Sequence, residues 1–352
     1  MQAIKKYTLS ILVLLLSIVH FSYGSEAATS ATKEKFNAGE MIMHHIGDSH
    51  EWHFTTIGDF HATIPLLVII YNPEVGLDVF PSSKFIDETG HTNLHHGSYG
   101  DYVIHNDKIH SVNEALHIYD ISITKNVASL LISFFLLITV FLVIAARYKK
   151  NTLSAPRGVQ SFFEPIIVYI INEVAKPVLG EKKYKKYLPY LLTVFFFIWF
   201  NNMLGLIPGG ANLTGNIAIT MMLALITFLI TNLSGNLNYW KHILWTPGVP
   251  LPLRIIILPI EVVGIFTKPF SLMIRLFANI TAGHIIILSF IGLIFIFNSV
   301  LMAPVSIAFG LFMMFMELFV AILQAYIFTL LSAMYIGSAI EDAHGEDHDH
   351  GH

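Results

Sequence analysis

One arginine lies deep inside an apolar stretch near the C-terminus of the chain. Between positions 254 and 340 the charged residues other than His284 are Arg254, Glu261, Lys268, Arg275 and Glu317. An arginine at the centre of a membrane helix costs about 2.5 to 3.5 kcal/mol on insertion scales, so it usually faces a polar cavity or a partner and marks a function. The structural alternative is that Arg275 reaches an interface or pairs with Glu317 only to hold two helices together.

Polar residues on two consecutive apolar segments accompany Arg275. Asn279 lies one helical turn beyond Arg275 on the same face. Glu317 and Gln324 are seven positions apart, and so share one stripe of the second helix. An antiparallel hairpin places His284 near Glu317, and Arg275 level with Gln324. Because the nine residues from Arg275 to His284 turn a helix by half a revolution, we expect Arg275 to face an external partner and His284 to face the interior.

These side-chain types suit proton transfer. A guanidinium stays protonated in proteins, so Arg275 cannot relay a proton and acts only as a fixed positive charge. Glu and His inside a membrane can exchange protons near neutral pH, and Glu317 and His284 are expected to titrate as a coupled pair. Asn202, in an earlier apolar segment, is a candidate polar lining of the same path. The alternative for Glu317 and His284 is a static buried ion pair.

The composition places most of the chain in lipid. Of the 352 residues, 54% are hydrophobic and only 12% are charged, and the mean hydropathy is +0.64, which is too apolar for a soluble fold of this length. The net charge of -4 and the scattered Lys and Arg residues offer no basic face to a nucleic acid. Because the chain has no cysteine, disulfides, thiolate nucleophiles and Cys-based metal sites are excluded.

The sequence predicts an all-α polytopic membrane domain at 121–340. Its five spans lie near 127–146, 188–207, 216–235, 255–297 and 303–340, and the last two are long and form a hairpin. The loop before the second span carries nine Lys and Arg residues, whereas the loop after it carries none. The basic loop is therefore cytoplasmic, which places the N-terminal region outside and the C-terminus in the cytoplasm.

A segment within the basic loop, residues 160–180, has the pattern of an amphipathic helix. Its apolar residues recur at helical spacing at Phe163, Ile166, Ile167, Ile170, Ile171 and Val174. A helix of this kind lies on the membrane surface. The alternative is a partly inserted hairpin.

The regions outside the membrane domain are polar and rich in histidine. Residues 1–24 have the basic start and short apolar run of an export signal, with an uncleaved anchor as the alternative. Residues 25–120 hold eleven of the 18 histidines and contain short runs rich in Val, Ile, Phe and Tyr between turn signals. These runs predict a small β-rich extracytoplasmic domain. Residues 341–352 form an acidic, His-rich tail.

Two motifs resemble the signature of ATP synthase subunit a. The first is Ser271-Leu-Met-Ile-Arg275-Leu-Phe-Ala-Asn279-Ile-Thr-Ala-Gly283-His284, and the second is Glu317-Leu-Phe-Val-Ala-Ile-Leu-Gln324-Ala-Tyr-Ile-Phe. The stretch Asn202-Met-Leu-Gly-Leu-Ile-Pro208 and the amphipathic segment match more weakly, so the resemblance covers Lys125 to Ile340. It implies the membrane-sector stator of a rotary ATP synthase of the bacterial type.

The resemblance assigns roles to these residues. In that family the position of Arg275 is the arginine that faces the carboxylates of the rotor, and Gln324 is its polar neighbour. His284 and Glu317 match the channel pair of the family, with histidine on the first helix and glutamate on the second. Two offset half-channels then force each proton to ride the rotor for most of a turn. The subunit couples proton flow to ATP synthesis, has no active site for ATP chemistry, and needs no cofactor or metal.

The resemblance also implies partners and a location. The partners are a ring of small c-type rotor subunits, b-type peripheral stalk subunits and the rest of the ATP synthase, in the bilayer of a bacterial inner membrane with the N-terminal domain periplasmic. The chain departs from the family pattern at Gly205, where some relatives carry an acidic residue, and in its long N-terminal domain and tail. Because the candidate conducting residues, Asn202 included, all lie beyond Lys125, the external domain is expected to be dispensable for ion flow.

Two other classes of protein compete with this interpretation. The many histidines outside the membrane domain suggest a divalent-metal transporter, since imidazole binds Zn, Ni or Cu. However, only His284 lies deep in a hydrophobic segment, whereas transporters place their ligands near the membrane midplane. An intramembrane hydrolase needs a nucleophile with a base, and the chain contains neither a Gly-x-Ser-x-Gly nor a His-Glu-x-x-His motif.

Overall fold

The structure is a computed structural model. It describes residues 39, 47–57, 60–85, 94–105, 108–113, 116–150, 158–207, 209–245, 250–297 and 302–341. The export signal predicted at 1–24 and the tail after residue 341 lie outside these residues. The chain divides into two compact units, one of Met1–Ile132, Leu204–Ala211 and Ile291–Pro304 and the other of Ser133–Met203, Asn212–Phe290 and Val305–His352.

Short antiparallel strands form the N-terminal part of the first unit. Those described are β1 (Glu51–Ile57), β2 (Phe60–Pro65), β3 (Leu67–Asn72), β4 (Gly76–Pro81), β5 (Leu94–His96), β6 (Asp101–His105), β7 (Lys108–Ser111) and β8 (Tyr119–Asp120). They pair as β1-β2, as β4-β3-β8 and as β5-β6-β7. The prediction of a small β-rich domain is therefore confirmed.

The core of this domain follows from alternation along the strands. Successive side chains of a strand point to opposite faces, and in β3 every second residue, including Val68 and Ile70, is buried. The cluster that they form is completed by Phe80, Phe85, Tyr102 and Ile109. Six apolar side chains make a small core, so hydrogen bonds to the rest of the first unit matter for its position.

The remainder of the described chain is helical. The helices are α1 (Lys125–Lys150), α2 (Val159–Tyr169), α3 (Lys176–Gly205), α4 (Ile217–Leu233), α5 (Leu237–Leu244), α6 (Leu251–Phe297) and α7 (Ala303–Ile340). Four stretches are long and apolar enough to cross a membrane, and α4 with α5, bent by 103°, makes a fifth. The protein is thus a multi-pass membrane protein, and the five predicted spans fall on α1, α3, α4, α6 and α7.

The predicted amphipathic segment corresponds to α2, a π-helical turn at Ile170–Ala175 and the start of α3. Gly180, with φ 76° and ψ 154°, breaks the helix and separates this segment from the spanning part of α3. Phe163, Ile170 and Val174 are buried as the spacing predicts. Their apolar face packs against protein, because Phe163 contacts the rings of Phe141 and Phe196.

The carboxyl end of α7 is held by its neighbours. The last carbonyl groups of a helix have no partner within the helix. Here the carbonyl of Ile340 accepts hydrogen bonds from Lys183 Nζ (2.8 Å) and Asn236 Nδ2 (3.0 Å), and the carbonyl of Ala339 accepts one from the backbone N–H of Asn236 (2.9 Å). The positive charge of Lys183 also interacts favourably with the negative end of the helix dipole. These bonds fix the end of the helix that carries the candidate residues.

Candidate functional site

The helices α6 and α7 form the predicted antiparallel hairpin. As the residue number falls along α6, the residue number of its contact on α7 rises. The contacting pairs are Phe290 with Phe309, His284 with Glu317, Asn279 with Gln324, and Lys268 with Tyr335. Every candidate residue of the hairpin can therefore be placed by its level along this ladder.

The structure brings His284 and Glu317 into direct contact. His284 Nδ1 lies 2.7 Å from Glu317 Oε1, and the two side chains are 12% and 4% exposed. The second oxygen of the carboxylate, Oε2, is buried and has no hydrogen-bond partner among the described residues. A carboxylate with one free oxygen next to an imidazole is arranged to accept or release a proton.

A glycine makes this contact possible. A Cβ atom at Gly283 would lie 2.7 Å from Glu317 Oε1 and 3.0 Å from its Cδ, which is closer than real Cβ contacts. A side chain at this position would force the end of the Glu317 side chain to shift, so glycine leaves the space that the carboxylate occupies beside His284.

Asn279 and Gln324 form the next level of the hairpin. Asn279 Nδ2 donates a hydrogen bond to Gln324 Oε1 at 2.7 Å. Gln324 is 1% exposed, and its Nε2 group has no partner among the described residues. The sequence placed Arg275 at the level of Gln324; Asn279 occupies that level instead, so Arg275 lies one helical turn beyond the level of Gln324, on the side away from His284.

Arg275 is partly exposed, and its helix neighbours Ile274 and Phe270 are exposed as well. Within the described part of the chain, no salt bridge joins Arg275 to a carboxylate. Glu317, the partner that the structural alternative required, is paired with His284 instead.

Asn202 joins the site from the carboxyl end of α3. Asn202 Nδ2 donates to the carbonyl of Ala321 (3.3 Å), one turn along α7 from Glu317, and Asn202 Oδ1 accepts from Thr214 Oγ1 (2.7 Å). Asn202 and Thr214 are both buried. Sequence analysis missed Thr214, because its bond to Asn202 depends on how the chain turns between α3 and α4.

A second polar region, which sequence analysis missed, lies on the other side of Arg275. A small cleft there is lined by polar residues that include Thr231, Asn232, Tyr239, Lys268 and Tyr335. Tyr239 Oη donates to Asn232 Oδ1 (3.2 Å), Lys268 Nζ lies 5.7 Å from the ring centre of Tyr335, and Thr231 Oγ1 is buried without a partner among the described residues. These residues are scattered over four helices, so no sequence spacing groups them.

Deeper in the same region a buried chain of hydroxyl groups crosses three helices. Tyr190 Oη lies 2.6 Å from Thr227 Oγ1, which lies 3.4 Å from Ser332 Oγ. Burial of hydroxyl groups is costly unless they are hydrogen-bonded, so this chain fixes α3, α4 and α7 relative to one another.

No metal site is found where the structure describes the chain. No group of three or more His, Asp or Glu side chains in those residues could hold a metal ion.

Comparison with known proteins relates this geometry to a family. Residues 127–337 match the family model "ATP synthase A chain", and residues 41–129 match a domain of unknown function, DUF8433. The chain is 41% identical over 334 residues to "ATP synthase subunit a 2" of Chlorobaculum tepidum, covering 93% of this chain and 80% of that protein.

Two further relatives agree. The chain is 45% identical over 240 residues to "ATP synthase subunit a" of Chloroherpeton thalassium, covering 66% of this chain and 71% of that protein. It is 47% identical over 239 residues to the protein of the same name from Chlorobium phaeobacteroides, covering 66% and 68%. The family match spans more than half of the chain and includes all of the site residues, so this chain belongs to the ATP synthase A chain family.

Proposed function

We propose that this chain is the proton-translocating stator subunit of an ATP synthase membrane sector, with Arg275 as the fixed charge that faces the rotor. The observation that carries the proposal is the different treatment of two charges on one hairpin. The carboxylate of Glu317 is paired inside the subunit, whereas Arg275 has no such partner among the described residues and stands among exposed apolar side chains.

Arg275 acts by electrostatics alone. A carboxylate that passes it on a rotor helix is favoured in its ionised form, because an opposite charge nearby lowers the pKa of a carboxyl group. The rotor carboxylate therefore releases its proton beside Arg275. Since the guanidinium never gives up its own proton, it also blocks a direct leak between the two access paths.

We assign the first access path to His284, Glu317 and Asn202. They lie on three helices but within about two turns of one another along α7, because Asn202 contacts Ala321. The nine residues between Arg275 and His284 separate this path from the arginine by about 13.5 Å along the helix. Asn279 and Gln324 lie between them: Asn279 is an exposed polar group, and the buried Gln324 accepts its hydrogen bond.

We assign the second access path to the cleft around Thr231, Asn232, Tyr239 and Lys268. It lies on the opposite side of Arg275 from His284, and Tyr335 of α7 lines it together with Lys268 of α6. Two paths that reach Arg275 from opposite sides require the proton to travel with the rotor between them. The transmembrane potential drives this at about 2.3 kcal/mol per charge for each 100 mV.

The orientation and partners follow from charge and family. The nine Lys and Arg residues between Arg147 and Tyr187 place that loop in the cytoplasm, so the N-terminal domain is periplasmic in a bacterial inner membrane. The partners are the ring of c-type subunits, the b-type stalk subunits and the rest of the ATP synthase. Exposed apolar residues along α6 and α7 leave room for the rotor ring and lipid.

The test is proton flux per assembled complex in vesicles, with and without ATP, for Arg275→Ala. We expect the complex to copurify with its rotor ring, to lose ATP-driven pumping and to gain a passive leak, because the positive block between the two paths is gone. The matched control is Arg254→Ala, which removes another arginine of α6. The guanidinium of Arg254 lies 4.3 Å from the ring centre of Trp245, and this variant should pump normally. Normal coupled pumping in well-assembled Arg275→Ala would contradict the proposal.

A further inference from the structure

The segment just before and within β1, residues 48–54, contacts several parts of the first unit in turn. We call it the brace segment. Asp48 Oδ1 accepts a hydrogen bond from the backbone N–H of Asn126 (3.0 Å), and the carbonyl of Ser49 accepts one from the N–H of Lys125 (2.8 Å). The first N–H groups of a helix lack partners within the helix, and a carboxylate there favours the helix dipole. The brace segment thus caps the start of α1.

The next residue ties the brace segment to β8. His50 is 5% exposed, and its Nε2 lies 3.0 Å from Asp120 Oδ2, while Asp120 Oδ1 accepts from the N–H of Ser122 (2.9 Å). Burial alone would raise the pKa of Asp120, but the hydrogen bonds from His50 and Ser122 outweigh it and lower the pKa. The strand that leads into α1 is therefore fixed against the brace segment by an ionised carboxylate.

Trp52 and Phe54 carry the brace segment to the loop between α3 and α4. Trp52 Nε1 donates a hydrogen bond to the carbonyl of Gly209 at 2.7 Å, and the rings of Trp52 and Phe54 stack with centres 5.4 Å apart. Gly209 has φ +77°, and a Cβ atom there would lie 2.8 Å from Phe54 Cα. Neither that backbone conformation nor that space accepts a larger residue.

Backbone hydrogen bonds join the described residues of this loop, 204–207 and 209–211. The N–H of Ile207 donates to the carbonyl of Leu204 (3.3 Å), and the N–H of Gly210 donates to the carbonyl of Ile207 (2.7 Å). A Cβ atom at Gly210 would overlap the carbonyl oxygen of Leu204. The contact at Gly209 therefore lies beside residues that are hydrogen-bonded back to the end of α3.

We propose that the brace segment holds the loop 204–211 to the start of α1 and thereby positions Asn202 and Thr214 for the first access path. The loop begins two residues after Asn202 and ends three residues before Thr214, so a displaced loop shifts both partners of their hydrogen bond. This gives a function to the segment matched by the domain of unknown function, and it replaces the expectation that the external domain is dispensable. Its effect on flux rests on the proposed function; the contact itself does not.

The contact is tested by photocrosslinking, which leaves Gly209 unchanged. Phe54 is replaced by p-benzoylphenylalanine, a photoreactive analogue of phenylalanine, because a Cβ atom at Gly209 would lie only 2.8 Å from Phe54 Cα. We expect irradiation of intact complexes to link position 54 to the loop 204–211, as detected by mass spectrometry of the linked peptides. Failure to form this link overturns the proposal, and this result does not depend on proton transport.

The function is tested with Trp52→Ala and Trp52→Phe, measured as proton flux per assembled complex. Both lose the indole N–H, and Trp52→Phe keeps an aromatic ring beside Phe54. We expect flux to fall several-fold in Trp52→Ala and less in Trp52→Phe. The yield of the photocrosslink from position 54 to the loop should fall in the same order, which ties the loss of flux to the loss of this contact.

A control variant in the same domain distinguishes loss of a brace-segment contact from loss of any other contact in the β domain. Asp101→Asn weakens the exposed contact between His96 Nδ1 and Asp101 Oδ1 (2.7 Å), which lies on β5 and β6 and not on the brace segment. It should leave flux unchanged. Normal flux in assembled Trp52→Ala, or a loss of flux while the photocrosslink from position 54 still forms as in the natural chain, would overturn the proposed positioning role.

Discussion

Two levels of the α6–α7 hairpin handle buried charge in opposite ways. At the level of His284, the carboxylate of Glu317 is 4% exposed, is paired at 2.7 Å and lies against the backbone of α6 at Gly283, where there is no side chain. At the level of Arg275, the guanidinium is partly exposed and has no carboxylate partner within the described residues. We call the level of His284 closed, because its charge is paired within this chain, and the level of Arg275 open, because its charge is not paired within the described residues.

The two levels differ in whether a second chain has to supply the opposite charge. An uncompensated charge in an apolar segment is costly, so a charge that the chain does not neutralise itself is expected to meet an opposite charge from another chain. A pair that is already complete has no such need, and its role lies within the subunit. Substitutions at these two levels therefore test whether Arg275 acts on another chain and whether Glu317 and His284 act within the subunit.

The largest effect is expected from Arg275→Lys. Lysine keeps the charge, but it loses the planar five-donor head and can lose its proton when desolvated. ATP-driven pumping should fall by at least about tenfold while the complex still assembles. Pumping per assembled complex is the measurement, with Arg254→Lys on the same helix as the control. If Arg275→Lys pumps normally, the two levels do not differ in the way proposed.

A smaller effect, with a distinctive pattern, is expected at the closed level. Replacing either Glu317 or His284 by Leu leaves the other group buried without its partner, which costs about 3–5 kcal/mol for a buried pair. The exchanged variant, Glu317→His with His284→Glu, keeps both groups in one cavity. It should conduct better than either single variant. Additive losses in the exchanged protein would rule out a paired role.

The smallest effect is expected from Gly283→Ala. The new methyl group would displace the Glu317 carboxylate, and overpacking of this kind costs about 1–3 kcal/mol. We expect flux to fall by up to about tenfold with normal assembly. Gly264→Ala, on the same helix, meets nothing within 4 Å and should have no effect. Equal flux in the two variants would show that the close approach of Glu317 is not required.

Much of the fold could be read from composition and periodicity. The spans that fall on α1, α6 and α7 follow from long apolar runs with few charged residues, which have few alternatives in a chain this apolar. The β domain follows from short apolar runs between turn signals. The amphipathic segment was found by its spacing, but spacing could not tell that Phe163 packs on Phe196, because lipid and protein cover an apolar face equally well.

The site divides along the same line. Arg275, Asn279, His284, Glu317 and Gln324 stand out in the sequence because a polar group in an apolar run is costly and therefore conspicuous. Helical geometry predicted the contact of His284 with Glu317, and the structure contains it. The register predicted for Arg275 was wrong by one turn, since Gln324 bonds to Asn279. Sequence spacing gives rise per residue but not the relative slide of two helices.

Residue types alone predict a multi-pass membrane protein with an isolated arginine and a Glu–His pair, because the free-energy cost of burying a polar group depends on the type of residue. Which of these groups contact one another depends on the tertiary structure. Thr214 reaches Asn202, Trp52 reaches Gly209, and the cleft beside Lys268 gathers residues of several helices. Each of these contacts joins side chains or backbone groups from separate elements, and its energy depends on a distance that no local pattern encodes.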